Sequence, residues 1–333
     1  MKLEEIGFYT LNDKRAINLS DNSPMQRCEM LLTGNCNFSC PYCRGFKNFS
    51  EKCGTISRKT ALMVLDIWIN DGLKNVRFSG GEPTLYPHLF ELVERCKKGN
   101  VSHIAISSNG SADTDVYKKL IDLGVNDFSI SLDACCSSFA DKMAGVDGYF
   151  NKVTNNIRTI SKLTYVTVGV VLNEANIDEV IKITKFADEL GVSDIRLISS
   201  AQYNRLLDHV KIIDNDILDR HPILKYRINN VKKYKNVRGI SELGCNRCYM
   251  VIDDSVVAGN GDDAWHFPCV INLREGGKAI GRVGPNMRKE RIEWFKTHNS
   301  FSDRICRTNC LDVCQDYNCK CMELNKNFSL LEK

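Results

Sequence analysis

Three cysteines constrain this chain most: Cys36, Cys40 and Cys43, in the stretch LLTGNCNFSCPYCRGF, spaced C-x3-C-x2-C. Thiols this close can grip one metal or cluster without help from distant chain. A structural zinc takes four ligands, and a protein-held 4Fe–4S cluster usually takes four cysteines. A set of three points to a cluster with one iron open to another molecule. A zinc knuckle is the competing reading. The run Glu29 to Thr33 ahead of the thiols is β-like and Gly34-Asn35 reads as a turn, so the loop follows a strand.

Sixteen cysteines are a heavy load for 333 residues. In a reducing compartment such a set reads as metal or cluster ligation rather than disulfides. Eight of them fall between Cys245 and Cys321, a crowding that marks a second ligating region. Cys28, Cys53 and Cys96 stand apart and read as small buried apolar residues. No apolar run approaches the length of a membrane span, and the first residues show no apolar signal core, so a cytoplasmic protein is expected. A net charge of +4, from 45 basic against 41 acidic residues, is too even for a nucleic-acid surface.

From Cys28 onward, strand-like and helix-like segments alternate. Strands are expected near Cys28–Thr33, Asn75–Ser79, His103–Ser107, Asp127–Leu132, Tyr165–Leu172 and Asp194–Ile198. They are short and rich in Val, Ile and Phe, as buried parallel strands are. Helices are expected over Ser57–Asn70, with Leu62, Leu65, Ile67 and Trp68 on one face, then His88–Lys98, Asp115–Leu123, Phe150–Lys162 and Ile177–Leu190. Six strand–helix units in one direction predict an α/β fold, a parallel barrel or open sheet with helices outside. The expected organisation is a lead-in over 1–27, the barrel over 28–210, a helical connector over 211–239, a cysteine-rich domain over 240–325 and a tail over 326–333.

Ser79-Gly80-Gly81-Glu82-Pro83 follows the cysteine motif by about forty residues, also after an expected strand. With Tyr42 before the last cysteine of the motif, the pair resembles the radical S-adenosylmethionine (SAM) enzymes. The resemblance implies a partial (β/α)6 barrel with its chemistry at the carboxyl ends of the strands. It implies a 4Fe–4S cluster on Cys36, Cys40 and Cys43 whose open iron takes SAM. One electron would then cleave SAM to methionine and a 5′-deoxyadenosyl radical, which removes hydrogen from a substrate C–H bond. A reductase such as flavodoxin or ferredoxin would supply the electron. Gly80, Gly81, Glu82, Ser108, Asn109 and Ser131 match the family's SAM-contacting stretches. Arg196, like Arg77, is a charge inside an apolar strand, and reads either as a carboxylate-binding group at the barrel mouth or as half of an ion pair. Cys135 and Cys136 follow the fourth strand and are candidate hydrogen-atom donors, with buried spectators as the alternative.

Cys245-x2-Cys248, then Cys269, then Cys306, Cys310 and Cys314 resemble the Twitch or SPASM auxiliary-cluster extension. That implies at least one auxiliary 4Fe–4S cluster on Cys245, Cys248 and Cys269, with a fourth ligand from Cys306, Cys310 or Cys314; zinc competes. The spacing Cys306-x3-Cys310-x3-Cys314-x4-Cys319 departs from the usual SPASM pattern. The barrel, including VTVGVVLNEANIDEV, also resembles the GTP-cyclising enzymes of molybdenum-cofactor synthesis. Glu29, Tyr249 and Val251 stand where that family has arginines, which removes basic partners for a triphosphate. The extension favours a ribosomal peptide as substrate, modified by crosslinking, oxidation or epimerisation. A nucleotide, sugar or other small metabolite is the alternative, and a zinc-binding nucleic-acid module is the reading from another class.

Overall fold

The computed structural model describes residues 13–17, 19–43, 54–200, 210, 213–240 and 245–324; Cys53, the first part of the lead-in and the tail lie outside them. Six parallel strands form the body: β1 (Arg27–Thr33), β2 (Asn75–Gly80), β3 (His103–Ser108), β4 (Asp127–Ser131), β5 (Tyr165–Leu172) and β6 (Asp194–Ser199). They pair in sequence order, so each crossover returns to the neighbouring position. In parallel β-helix-β units the carboxyl ends all emerge on one side, which gathers every expected motif at one mouth.

One face of the strands carries Met30, Phe78, Ile106, Phe128, Ile130, Val168 and Leu197, all buried in the main apolar core. The helix Arg58–Asn70 shows how the covering layer forms. Ser57 caps its first turn by accepting Thr60 N–H at 3.1 Å. Ala61, Val64, Leu65 and Trp68, at helical spacing, are buried, whereas the expected Leu62 and Ile67 are only half-buried. Burying each large apolar side chain contributes about 1.5–3 kcal/mol.

The opposite face of the strands is polar and lines the interior. A flat sheet would hold β1 and β6 about 24 Å apart, at about 4.8 Å per strand. Arg196 on β6 nevertheless feels the charge of Glu29 on β1, so the sheet is rolled into a partial barrel.

The cysteine-rich region joins this same sheet. β7 (Asp254–Asn260) pairs in parallel with β1, and β8 (Asp263–Phe267) and β9 (Gly281–Arg282) follow antiparallel, giving nine strands in one sheet. Helices Met287–Thr297, Arg304–Asn309 and Asp312–Leu324 pack beyond it. No described helix is long and apolar enough to cross a membrane.

Candidate active site and metal centres

The three-cysteine loop leaves β1 and lies across the barrel mouth with Cys36 and Cys43 exposed and Cys40 half-buried. Four neighbouring strand and helix ends hold it. Gly81 N–H donates to Thr33 O at 2.7 Å and Glu82 N–H to Asn35 O at 2.8 Å. A β-carbon on Gly81 would sit 2.1 Å from Asn35 O, and one on Gly145 would sit 2.5 Å from Ser39 O, so both glycines permit close backbone approach. From β3, Asn109 Nδ2 donates to Asn37 Oδ1 at 2.8 Å and lies 3.8 Å from Cys36 Sγ. From beyond β4, Asp133 accepts the Tyr42 hydroxyl.

These contacts prearrange the thiols for a shared centre. Burial, then the Asp133 carboxylate and the other two thiols, pushes Cys40 up to about 11. A cation among them would reverse that, because a metal stabilises the thiolate form it binds. Three thiols on one loop, each a charge neighbour of another, suit the soft donor set of an iron–sulfur cluster.

Glu82 is fully buried under the mouth. Its carboxylate accepts Thr84 N–H, Thr84 Oγ1, Ser108 Oγ and Asn109 N–H at 2.7–3.0 Å. Burial pushes its pKa up, and those bonds oppose the rise. Ser108 is buried too and shares its hydroxyl with Tyr117 at 3.0 Å. Gly80, Gly81 and Asn109 are half-buried and Ser131 is exposed at the end of β4, so these four are the ones within reach of a ligand. Cys135 is half-buried and has Cys136, Glu179 and Lys182 as charged neighbours. Cys136 is exposed, with its thiol 3.9 Å from Ser138 Oγ. The structure thus groups this pair with the segment after β5 rather than with the three-cysteine loop.

The barrel interior holds more charge than the sequence suggests. Arg77 bridges Asp127 at 3.0 Å and Ser107 at 2.9 Å, and Glu29 accepts from Arg27 at 2.8 Å and from Ser79 at 3.0 Å. Burial alone would push both carboxyls up. Arg27, Arg274 and Arg77 pull Glu29 below the ordinary carboxylate range, and Arg77 with His103 does the same for Asp127. Arg196 reaches over Gly169, where its Nη2 lies 3.9 Å from the place a β-carbon would occupy, and bonds Ser129 Oγ at 2.9 Å. Its Nε has no partner among the described residues, and burial followed by Arg77 lowers its pKa to about 10. Arg274, from the cysteine-rich region, adds its charge to Glu29 and Arg196. Sequence reasoning missed Arg274, since nothing local ties a residue five positions past Cys269 to strands β1 and β6.

All six expected distal ligands, Cys245, Cys248, Cys269, Cys306, Cys310 and Cys314, line one cavity. Within it, every pair among Cys248, Cys269, Cys310 and Cys314 is close enough for one thiolate charge to penalise another. Burial pushes the Cys248 and Cys269 thiols up, Cys269 to about 12, and the hydrogen bond with Cys314 followed by burial pushes Cys310 up. Cys245 has Cys319 as its first thiol neighbour and also bears on Cys248, while Cys306, which has Cys248 and Cys269 as neighbours, lies 3.6 Å from His298 Nε2. The donor set is thiol-rich and apolar-walled, and among the described residues no three of its sulfurs lie within 4.8 Å of one another, which suits the wider span of an iron–sulfur cluster better than a single four-thiolate zinc.

A rolled parallel sheet carries an exposed three-thiol loop clamped at its mouth. Residues 30–187 of this chain match the family described as the Radical SAM superfamily. The chain is similar to the probable GTP 3',8-cyclase of Metallosphaera sedula, 26% identical over 253 residues, which is 69% of this chain and 79% of the relative. Among solved structures it resembles anSMEcpe with bound AdoMet, with a TM-score of 0.64 at 18% identity over 91% of this chain and 97% of that one. Streptococcus suis SuiB bound to precursor peptide SuiA gives 0.56 at 13% identity over 92% and 79%. In two further SuiB structures the chain spans 66% of that protein, just under two thirds. At these identities the structural likeness is one of fold.

Proposed function

We propose that this protein is a radical SAM enzyme acting on a small anionic metabolite held inside the barrel. Cys36, Cys40 and Cys43 would hold the SAM-binding 4Fe–4S cluster. Bound there, the cluster and SAM supply a carbon radical that takes hydrogen from a substrate C–H bond. Gly80, Gly81, Asn109 and Ser131 would line the SAM pocket, while Glu82 and Ser108 fix the strand ends beneath it. The barrel walls exclude water from the reacting centre. A second 4Fe–4S cluster would occupy the distal cavity on Cys248, Cys269, Cys310 and Cys314.

The observation that carries the reading is the thiol loop itself, fixed by contacts from Gly81, Asn109, Ala144 and Asp133 at the carboxyl ends of the strands. Anaerobic protein with dithionite and SAM is expected to release 5′-deoxyadenosine and methionine. Cys40→Ala should abolish that release while the distal iron stays bound. Cleavage that persists in Cys40→Ala, or native protein holding zinc alone, would overturn the reading.

The substrate class rests on Arg196, a buried guanidinium whose Nε has no partner among the described residues, and on the cyclase relatives. A buried donor so placed needs an acceptor. GTP itself is disfavoured by Glu29 on β1. A peptide, expected from the cysteine-rich extension, remains the competing class. Stimulation of deoxyadenosine release by phosphorylated or carboxylated metabolites, and not by peptides, would separate the two.

A further inference from the structure

Among the described residues, one group of mixed ligating side chains converges. His298, Asp303 and Cys306 each place a ligand atom within 4.8 Å of the other two. His298 Nε2 and Cys306 Sγ are 3.6 Å apart. A tetrahedral zinc with its usual Zn–N and Zn–S bond lengths has an N–S edge of about 3.6 Å.

The group is held in place rather than assembled by chance. The His298 ring stacks on Trp294 at 3.8 Å and 16°. The His298 carbonyl accepts from Arg247 Nη1 at 3.0 Å, and Ser300 N–H donates to Asn246 O at 2.8 Å, so the segment is pinned to the Cys245–Cys248 loop. Asp303 caps the helix Arg304–Asn309, with Oδ1 accepting Cys306 N–H at 2.8 Å, which leaves Oδ2 for another partner.

We propose that His298 Nε2, Cys306 Sγ and a carboxylate oxygen of Asp303 form a mononuclear site for a divalent cation of the zinc class at the rim of the thiol cavity, which Cys306 also lines. It rests on the reading that the auxiliary cluster takes Cys248, Cys269, Cys310 and Cys314, which frees Cys306. Binding would release the Cys306 thiol proton to solvent and involves no change of oxidation state. Asp303 and Trp294 also line an open groove of about 900 Å³ with Lys278 and Arg304, which gives water access to a fourth coordination position.

The test uses the full chain, reconstituted anaerobically with iron and sulfide, mixed with zinc chloride and desalted. About one zinc per chain should remain, with a mixed sulfur and nitrogen/oxygen shell at the zinc absorption edge. His298→Gln and Cys306→Ala should lose that zinc and keep the wild-type iron content. Asp303→Asn preserves a good helix cap and should weaken zinc retention about tenfold. No retained zinc, a four-sulfur shell, or loss of iron in Cys306→Ala would each overturn the proposal. Failure of the radical SAM reading shows separately, as absence of deoxyadenosine from protein whose zinc is intact.

Discussion

Asn109 donates its backbone N–H to Glu82 Oε2 at 2.7 Å, which ties the end of β3 to the end of β2 directly beneath the thiol loop. A carboxylate can only accept, and this one is met by donors on every side. Glu82→Gln would turn an amide NH2 toward one of them. The expected cost is about 1–3 kcal/mol, seen as a lower thermal midpoint, together with weaker SAM binding by equilibrium titration.

Gly81 predicts a separation of folding from loading. A methyl group there collides with the Asn35 carbonyl, so Gly81→Ala must push the thiol loop away from β2. The variant should keep its far-ultraviolet circular dichroism and lose most of the iron of the SAM-site cluster. Normal iron content in that variant would contradict the close packing described here.

Asp127 predicts an acid limit with a definite sign. Its pKa is held below the ordinary carboxylate range in the folded chain by Arg77 and His103, against burial. Its contribution is therefore complete above the unfolded value and is lost as the pH falls through the lowered one. Asp127→Asn should cost about 3–5 kcal/mol near neutrality, because Arg77 is left buried without its anion. Urea unfolding across pH should show the gap between the two proteins closing as acid is added.

The cysteine cavity predicts an unequal response to mutation. Cys248→Ala, Cys269→Ala, Cys310→Ala and Cys314→Ala should each lose about four irons, a whole cluster. Cys245→Ala should keep them, since Cys245 has Cys319 as its first thiol neighbour. Iron and sulfide analysis of the five variants checks this.

Much of the barrel was legible in advance because buried parallel strands announce themselves as short β-branched runs. Tyr165–Leu172 is both the expected and the observed fifth strand. Leu62 and Ile67 pack against the core from the edge of the buried face, whose centre is taken by Ala61, Val64, Leu65 and Trp68. The helices after Cys245 left little trace, since their buried positions are not all apolar. Arg291 is wholly buried and is satisfied by the carbonyls of Val251, Asp254 and Phe267. Arg227 and Asp312 bury each other as a pair. A hydrophobic-periodicity reading counts such residues as surface. The thiol loop was legible from spacing alone, whereas Arg274 and His298 acquire meaning only from chain that folds back onto them.

The parallel pairing of β7 with β1 makes the strand that presents the thiol loop an interior strand rather than a border. Cutting the chain before Met250 would therefore strip β1 of a hydrogen-bonded neighbour and leave an adhesive margin open to other chains. The two cysteine-bearing regions share one mechanical backbone, so the amino-terminal portion expressed by itself should clump rather than survive as a smaller folded unit.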